Sequence, residues 1–421
     1  MIKKLFQSEF IRNSSILIVG TVLAQIVPIA IQPIIRRIYT DAETGRFDLY
    51  ISIVAILASF VHLNYARTVV IPKREDEAIN LLGGSIFSSF ILSLIIYIIM
   101  LFGGDFIIEK FNLPPAFLPW LKYVPLSVFF VGSYTSMSFW LTRKKQFKSI
   151  AFNKFVRRGS EGMAQIGLKQ WSSNGLIVGS ILGDCINFLI HTWQVFRSGF
   201  KWQTLHFSII KEQFIKFKDF PLYSLLPSFL NTISSNLPVI IVTSLFSDRV
   251  AGQFGLSRMV LAIPLALISV AISQVLLQKI AEKRQNNQSI KQLLKGSFFT
   301  LSAMSLIGLV IVYFFSEPIF IFAFGDKWIM ASKITSILVF YYIIYFVTTP
   351  LSIVFIALEK IKLNSIWQTF HFLLIFSLYL FKGVGIYEFM FYFMLINFIS
   401  YLAYGILIYF TIKEYEKSLL E

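Results

Sequence analysis

The sequence predicts an all-α integral membrane protein of about twelve transmembrane helices, arranged as two six-helix bundles around a central cavity. Three observations carry this reading. Hydrophobic residues make up 56% of the 421-residue chain and charged residues only 14%, whereas a soluble domain carries roughly 25% charged residues. So few charges cannot solvate the surface of a protein this size, which excludes both a soluble globular protein and an intrinsically disordered one. Apolar runs of about 20 residues, the length that crosses the hydrocarbon core of a bilayer, follow one another along the whole chain. A short motif also recurs at the same place in each half.

The elements follow in order. The stretch from Met1 to Arg12 is short and basic, and the apolar run behind it has no small-residue cleavage site. It reads as a retained first helix rather than a removed signal peptide. The spans cover residues 14–35, 46–70, 79–103, 118–141, 150–170 and 174–196 in the first half. In the second half they cover 219–246, 252–278, 292–316, 333–357, 363–382 and 386–411. The fifth span contains Lys154, Arg157, Arg158 and Glu161 and is the least apolar. Charge placement nevertheless requires it. With the N-terminus in the cytoplasm, Arg143, Lys144, Lys145, Lys148, Lys279, Lys283 and Arg284 fall inside, and fewer basic residues, such as Arg36, Arg37, Lys110 and Lys327, fall outside. Lys and Arg concentrate on the cytoplasmic side of multi-pass proteins, and omitting the fifth span would invert that bias for the later loops. Both termini are therefore expected in the cytoplasm.

Asp41, Gly45, Phe47 and Leu49 have the spacing D-x-x-x-G-x-F-x-L, and Asp248, Gly252, Phe254 and Leu256 repeat it. Each copy follows a proline-containing span, with Pro28 and Pro33 in one and Pro227 and Pro238 in the other. Six spans separate the copies, so the halves share one orientation and would be related by an axis along the membrane normal. The expected domains are a first bundle at 1–196, a cytoplasmic linker at 197–218 and a second bundle at 219–421. The linker carries Trp202, Phe207 and Phe214 among basic residues. Two readings stand for it: a segment lying on the membrane surface, or a solvated loop.

Polar groups within spans are costly and usually face a cavity or a partner. Gln25, Gln32 and Arg36 fall on one face of the first span, and Lys154, Arg158, Glu161 and Gln165 on one face of the fifth. Ser180, Asp184, Asn187 and His191 line the sixth, Asn231 and its serine neighbours the seventh, and Asn364, Gln368 and His371 the eleventh. Facing stripes of this kind line a water-filled cavity or bond helix to helix. The cationic members are Arg67, Arg157, Arg158 and Arg258, opposed within the spans by Asp48, Glu161 and Asp184. An excess of arginine, whose planar fork grips phosphate oxygens, points to an anionic substrate such as a phosphate or pyrophosphate. The competing reading pairs Arg158 with Glu161 at i,i+3 and lets Arg67 and Arg258 snorkel to headgroups.

Other chemistries find no residues. One cysteine, Cys185, excludes an intramolecular disulfide and any cysteine-based metal site, and the four histidines have no ligand spacing. No Walker A, G-x-S-x-G, H-E-x-x-H or dinucleotide fingerprint is present. No cofactor, no catalytic activity and no direct use of ATP are expected. The net charge of +16 is assigned to cytoplasmic loops rather than to nucleic-acid binding.

The run from Asn13 through Gly20 and Gln25 to Pro28, then Arg37-Ile-Tyr39-Thr and Gly45-Arg-Phe47, resembles the polysaccharide-unit flippases of the Wzx type. These belong to the multidrug/oligosaccharidyl-lipid/polysaccharide exporter superfamily. Arg67 before Ile71-Pro72-Lys73, Asn231 through Pro238, Ala251-Gly252-Gln-Phe254, Pro264, Gln274-Val275 and Gly325-Asp-Lys-Trp328 extend the likeness over most of the chain. The resemblance implies two six-helix bundles around a cleft. It implies movement of an undecaprenyl-diphosphate-linked oligosaccharide, an O-antigen or capsule unit, from the cytoplasmic to the periplasmic leaflet of a bacterial inner membrane. It also implies partners among polysaccharide polymerases and chain-length machinery. Arg67 and Arg258 take the diphosphate-binding role, with Arg157, Arg158, Arg36, Gln25 and Asn231 as further cavity residues. Glu161 and Asp184 stand as coupling or ion-pair residues. The family often carries R-x-E-x-A-I-x-L-P here, but this chain reads Arg67-Thr-Val-Val-Ile-Pro72, so no role is carried over for that glutamate. The rival functions are a multidrug/cation antiporter of the same superfamily, which would want an acidic cavity, and a membrane polysaccharide polymerase, which would want a large external loop.

Overall fold

The computed structural model of the chain describes residues 27–170 and 174–419. Those residues are helical almost throughout, and ten of their helices are long and apolar enough to cross a membrane. The chain is a multi-pass membrane protein. Two expected spans are not among the ten. The first falls mostly outside the described residues, which begin within it as helix α1, residues 27–38. The fifth is a helix, but a charge-rich one. The contacts divide the chain into two compact units, 1–251 and 252–421.

In the first unit, Thr40 caps α2 (Asp41–Val61) with a reciprocal box: the Thr40 hydroxyl accepts from the Glu43 amide, and the Glu43 carboxylate accepts from the Thr40 amide at 2.7 Å. α2 stops short of the expected span end. Leu63 and Asn64 adopt left-handed φ values of 49° and 57°, which no helix continues, and residues Tyr65–Val70 form a 3₁₀ turn. α3 (Glu75–Lys110) follows, with Glu75, Asp76 and Glu77 on its positive N-terminal end. Its 36 residues rise about 54 Å at 1.5 Å each, well beyond a hydrocarbon core of about 30 Å. α4 (Val124–Arg143), α5 (Phe147–Leu168) and α6 (Gly175–Arg197) complete the expected first half. A short helix, α7 (Phe207–Lys216), lies in the linker. A π-turn at Phe220–Ser224 leads into α8 (Leu225–Leu245). α8 packs along α2, and this contact carries the first unit through Ala251.

Glycine explains the tightest helix pair. Gly175, Gly179 and Gly183 recur every fourth residue on α6, and α5 closes onto them. A Cβ at Gly179 would stand 2.6 Å from Gln165 Cγ, and one at Gly183 2.9 Å from Glu161 Cβ. Gly159 and Gly167 on α5 have nothing within 4 Å of an added Cβ, so the close approach is made by α6 and not by the small residues of α5. The buried core of this unit gathers Tyr39, Leu49, Tyr50, Phe117 and Val128 in one cluster and Tyr65, Leu82 and Trp140 in another.

In the second unit, α9 (Asp248–Gln285) enters from the first unit and runs unbroken past Pro264. α10 (Lys291–Phe324), α11 (Ile329–Leu351), α12 (Ile361–Phe376) and α13 (Ile386–Ser418) follow. Phe346, Phe355, Trp367 and Tyr404 form its larger core, and Leu256, Phe320 and Trp328 a smaller one. Outside the spans, Arg284 donates to Glu359 at 3.0 Å and holds that carboxyl below its usual range.

Candidate functional site

The first unit gathers charge where α5 meets α6. The Arg157 Nε donates to Asp184 Oδ1 at 2.7 Å, and the guanidinium lies 5.8 Å from the Tyr134 ring of α4. Arg158 donates to Glu161 at 3.0 Å, three residues on. The buried face of α5 runs Asn153, Glu161 and Gln165; Glu161 and Gln165 belong to the stripe expected from the sequence, but Asn153 takes the buried place expected for Lys154. Arg157 therefore reaches Asp184, while Lys154 lies exposed. Further along, His191 stacks on Tyr134. Its Nδ1 lies 2.9 Å from the Asn187 carbonyl oxygen, which can only accept, so Nδ1 carries the proton. Nε2 then accepts from Ser138 Oγ at 2.9 Å and Asn153 Nδ2 at 3.2 Å. Asn153 and Gln194 exchange two side-chain bonds. Within this satisfied network, the buried Asn187 Oδ1 has no partner among the described residues.

A second buried pair joins α1 to α2. Arg36 is 3% exposed, donates to Gln32 at 3.1 Å and approaches Asp48 to 3.6 Å. Lys169 bridges to both Glu43 carboxylate oxygens at 2.9 and 3.0 Å, over the Tyr39 ring. The intramembrane carboxylates Asp48, Glu161 and Asp184 thus each meet one arginine, namely Arg36, Arg158 and Arg157.

Arg67 differs. It sits on the 3₁₀ turn after α2, is exposed, and has no carboxylate partner among the described residues. Its turn is built from buried neighbours: Tyr65, Ala66, Thr68 and Val69 pack inward, and Arg143 donates to the Pro72 carbonyl at 2.6 Å. A rigid turn therefore presents one cation. Asn231 is exposed on α8. Gln25 lies outside the described residues. In the second unit the Arg258 guanidinium stands 5.5 Å from the Phe254 ring. Near it runs an aromatic series in which Tyr341 touches Tyr342 at 4.3 Å and Phe393 at 5.8 Å, and Trp367 stacks on Tyr404 at 3.8 Å. On α12, Asn364 accepts from Tyr404 at 2.6 Å and His371 meets Ser400 at 2.8 Å. The α12 polar stripe therefore bonds helix to helix.

The two repeat copies bring a contact that their spacing alone does not reveal. Arg46 pairs with Asp248 at 3.0 Å, and Arg249 pairs with Asp41 at 3.4 Å. The leading aspartate of each copy meets an arginine beside the other. Tyr134, Asn153 and Ser138 were likewise not singled out from the sequence. The readable signals were Arg46 and Arg249 inside the two repeat copies, and the G-x-x-x-G-x-x-x-G run at 175–183.

Among known proteins, a family profile described as polysaccharide biosynthesis protein matches residues 34–333. The teichuronic acid biosynthesis protein TuaB of Bacillus subtilis (strain 168) is 26% identical over 197 residues, which cover 46% of this chain. The match spans only 39% of that relative's length. An inward-facing multidrug resistance MATE family transporter of the MOP superfamily superposes with a TM-score of 0.74 at 13% identity, covering 95% of this chain and 96% of its own. The lipid II flippase MurJ, in an inward closed conformation, gives 0.76 at 16% identity, covering 94% and 87%. The fold is that of this transporter superfamily.

Proposed function

Because the chain belongs to the polysaccharide biosynthesis protein family, we propose that it is a flippase for a lipid-linked glycan. It moves an undecaprenyl-diphosphate-linked oligosaccharide repeat unit from the cytoplasmic to the periplasmic leaflet of a bacterial inner membrane. Its two six-helix halves, joined at 197–218, alternate access around a central cavity, with both termini in the cytoplasm. The protein acts as a transporter rather than an enzyme, and hands its cargo to a polymerase and chain-length machinery. Arg67 is the observation that carries the reading: a cation with no carboxylate partner among the described residues, on a turn that the expected topology would put at the cytoplasmic end of α2, suits the diphosphate of an arriving lipid. Arg258 takes the same role in the second half. Arg36, Arg157, Arg158, Gln25 and Asn231 line the path, and Glu161 and Asp184 hold the arginines in place or couple transport to an ion. The reciprocal pairs of Asp41, Arg46, Asp248 and Arg249 support a closure on the periplasmic side, where both repeat copies would lie with the termini in the cytoplasm.

Deleting the gene tests the cargo. Lipid extraction and mass spectrometry should then show a complete single repeat unit on its prenyl carrier, inaccessible to a periplasmic ligase. Complete units that reach the ligase but are never polymerised would favour the polymerase. An unchanged lipid pool would favour the drug antiporter.

A further inference from the structure

The linker helix α7 has three faces. Gln213 is buried and Ile210 and Phe214 are half-buried; Phe214 and Ile210 would lie 2.7 and 2.8 Å from a Cβ added at Gly84 of α3. Asn80 of α3 fixes the approach, donating to the Thr204 carbonyl at 3.0 Å and accepting from the His206 amide at 2.9 Å. A second stripe, at steps of 4, 4 and 3, runs Phe207, Lys211, Ile215 and on to Lys218, all exposed. Phe207 is 75% and Ile215 59% exposed, and Trp202 just before the helix is 68% exposed. The third face, Ser208, Glu212 and Lys216, is polar.

The depth of α7 is fixed by α3. It rests on Gly84, and Leu205 just ahead of it rests on Gly83. The exposed apolar band of α3 starts at Phe87 and continues through Phe90, Ile91 and Leu94, about 5 Å further along the axis at 1.5 Å per residue. Polar and acidic residues precede it at 75–77. In a bilayer whose hydrocarbon covers this band, α7 would lie at headgroup level. There a stripe alternating aromatic or aliphatic side chains with lysines inserts the former among acyl chains and extends the latter to phosphates.

We propose that this stripe is a docking surface for the anionic phospholipids of the cytoplasmic leaflet. The lipid-docked helix also positions Arg67. Tyr65, in the same turn, stacks on Phe214 with ring centroids 3.9 Å apart and donates its hydroxyl to the Phe214 carbonyl at 2.9 Å. Asn64 donates to Ser224 at 3.1 Å, in the π-turn just beyond the linker. This consequence for Arg67 rests on the flippase reading; the docking itself does not.

The test uses the full-length protein on a Cys185→Ser background, with a fluorophore at Ile215→Cys or Glu212→Cys. It is reconstituted in phosphatidylcholine vesicles with and without phosphatidylglycerol. With the anionic lipid, the label at 215 should be quenched by headgroup nitroxides and shielded from iodide, while the label at 212 stays open to iodide. Lys211→Glu with Lys218→Glu should lower the docked population more than about tenfold, since each lysine near an anionic leaflet is worth about fivefold. Lys211→Gln with Lys218→Gln should give a smaller shift in the same direction. Equal iodide access at both sites, or shielding at 215 that neither phosphatidylglycerol nor charge reversal alters, would overturn the proposal. No cargo is needed, so the outcome is independent of what the protein transports.

Discussion

Arg157 and Asp184 show what a charge must do to stay inside this protein. At 2.7 Å, with Asp184 buried, each partner compensates the other, and removing one leaves a buried charge at a cost of about 3–5 kcal/mol. Asp184→Leu should therefore lower the melting temperature of the purified protein sharply. Arg157→Met with Asp184→Leu should recover most of the loss, because an apolar pair of similar volume is often neutral or better. If the double variant is stable yet inactive, the pair serves transport; if it is stable and active, the pair is structural. Arg67 calls for a different outcome. It is exposed and without a carboxylate partner among the described residues, so Arg67→Ala should leave melting unchanged and abolish transport. Arg67→Lys should restore only part of it, since a point charge replaces a bidentate fork. Unchanged transport in Arg67→Ala would remove the residue from the path. The cationic character of Arg67 was legible in the sequence, but its freedom from a carboxylate was not. Nothing in the spacing shows that Asp48 goes to Arg36, or that Asp184 goes to Arg157 rather than to Arg158.

At the level of elements, the α5–α6 pair carries the strongest packing prediction. Gly179→Ala sets a methyl 2.6 Å from Gln165 Cγ and 2.8 Å from its backbone nitrogen, and the backbone atom cannot rotate aside. The variant should lose about 1–3 kcal/mol, the usual cost of overpacking, read as a lower melting temperature. Gly159→Ala on α5, with open space around it, should be neutral or stabilising by about 0.5–1 kcal/mol, since alanine favours the helix. Equal losses from both would refute the assignment of the close approach to α6. Helix α5 also marks how far sequence pattern reaches. Its existence followed from charge placement, and its period from polar residues. Its buried face keeps Glu161 and Gln165 of the expected stripe, which lie against Gly183 and Gly179 of α6, but takes Asn153 in place of Lys154. The end of α2 was misplaced for a local reason: left-handed Leu63 and Asn64 break an apolar run that hydropathy reads as continuous.

For the whole molecule, the repeat was the most informative feature of the sequence, and its use was hidden there. Spacing gave the two copies; only the fold shows Asp41 meeting Arg249 and Arg46 meeting Asp248. If these pairs close the periplasmic side, a short bis-maleimide joining Arg46→Cys to Asp248→Cys by addition of both thiols, on a Cys185→Ser background, should stop transport. Each single cysteine variant, treated alike, should retain it. Continued transport after complete crosslinking would assign the pairs to static architecture. The central claim concerns movement of a lipid-linked glycan between leaflets, and purified protein in vesicles tests it most directly. Vesicles carrying the undecaprenyl-diphosphate-linked repeat unit on the inner leaflet are followed by capture of units that appear outside. The wild-type protein should expose units far faster than protein-free vesicles, and Arg67→Ala should match the protein-free rate. Exposure by the wild type at the protein-free rate would contradict the account.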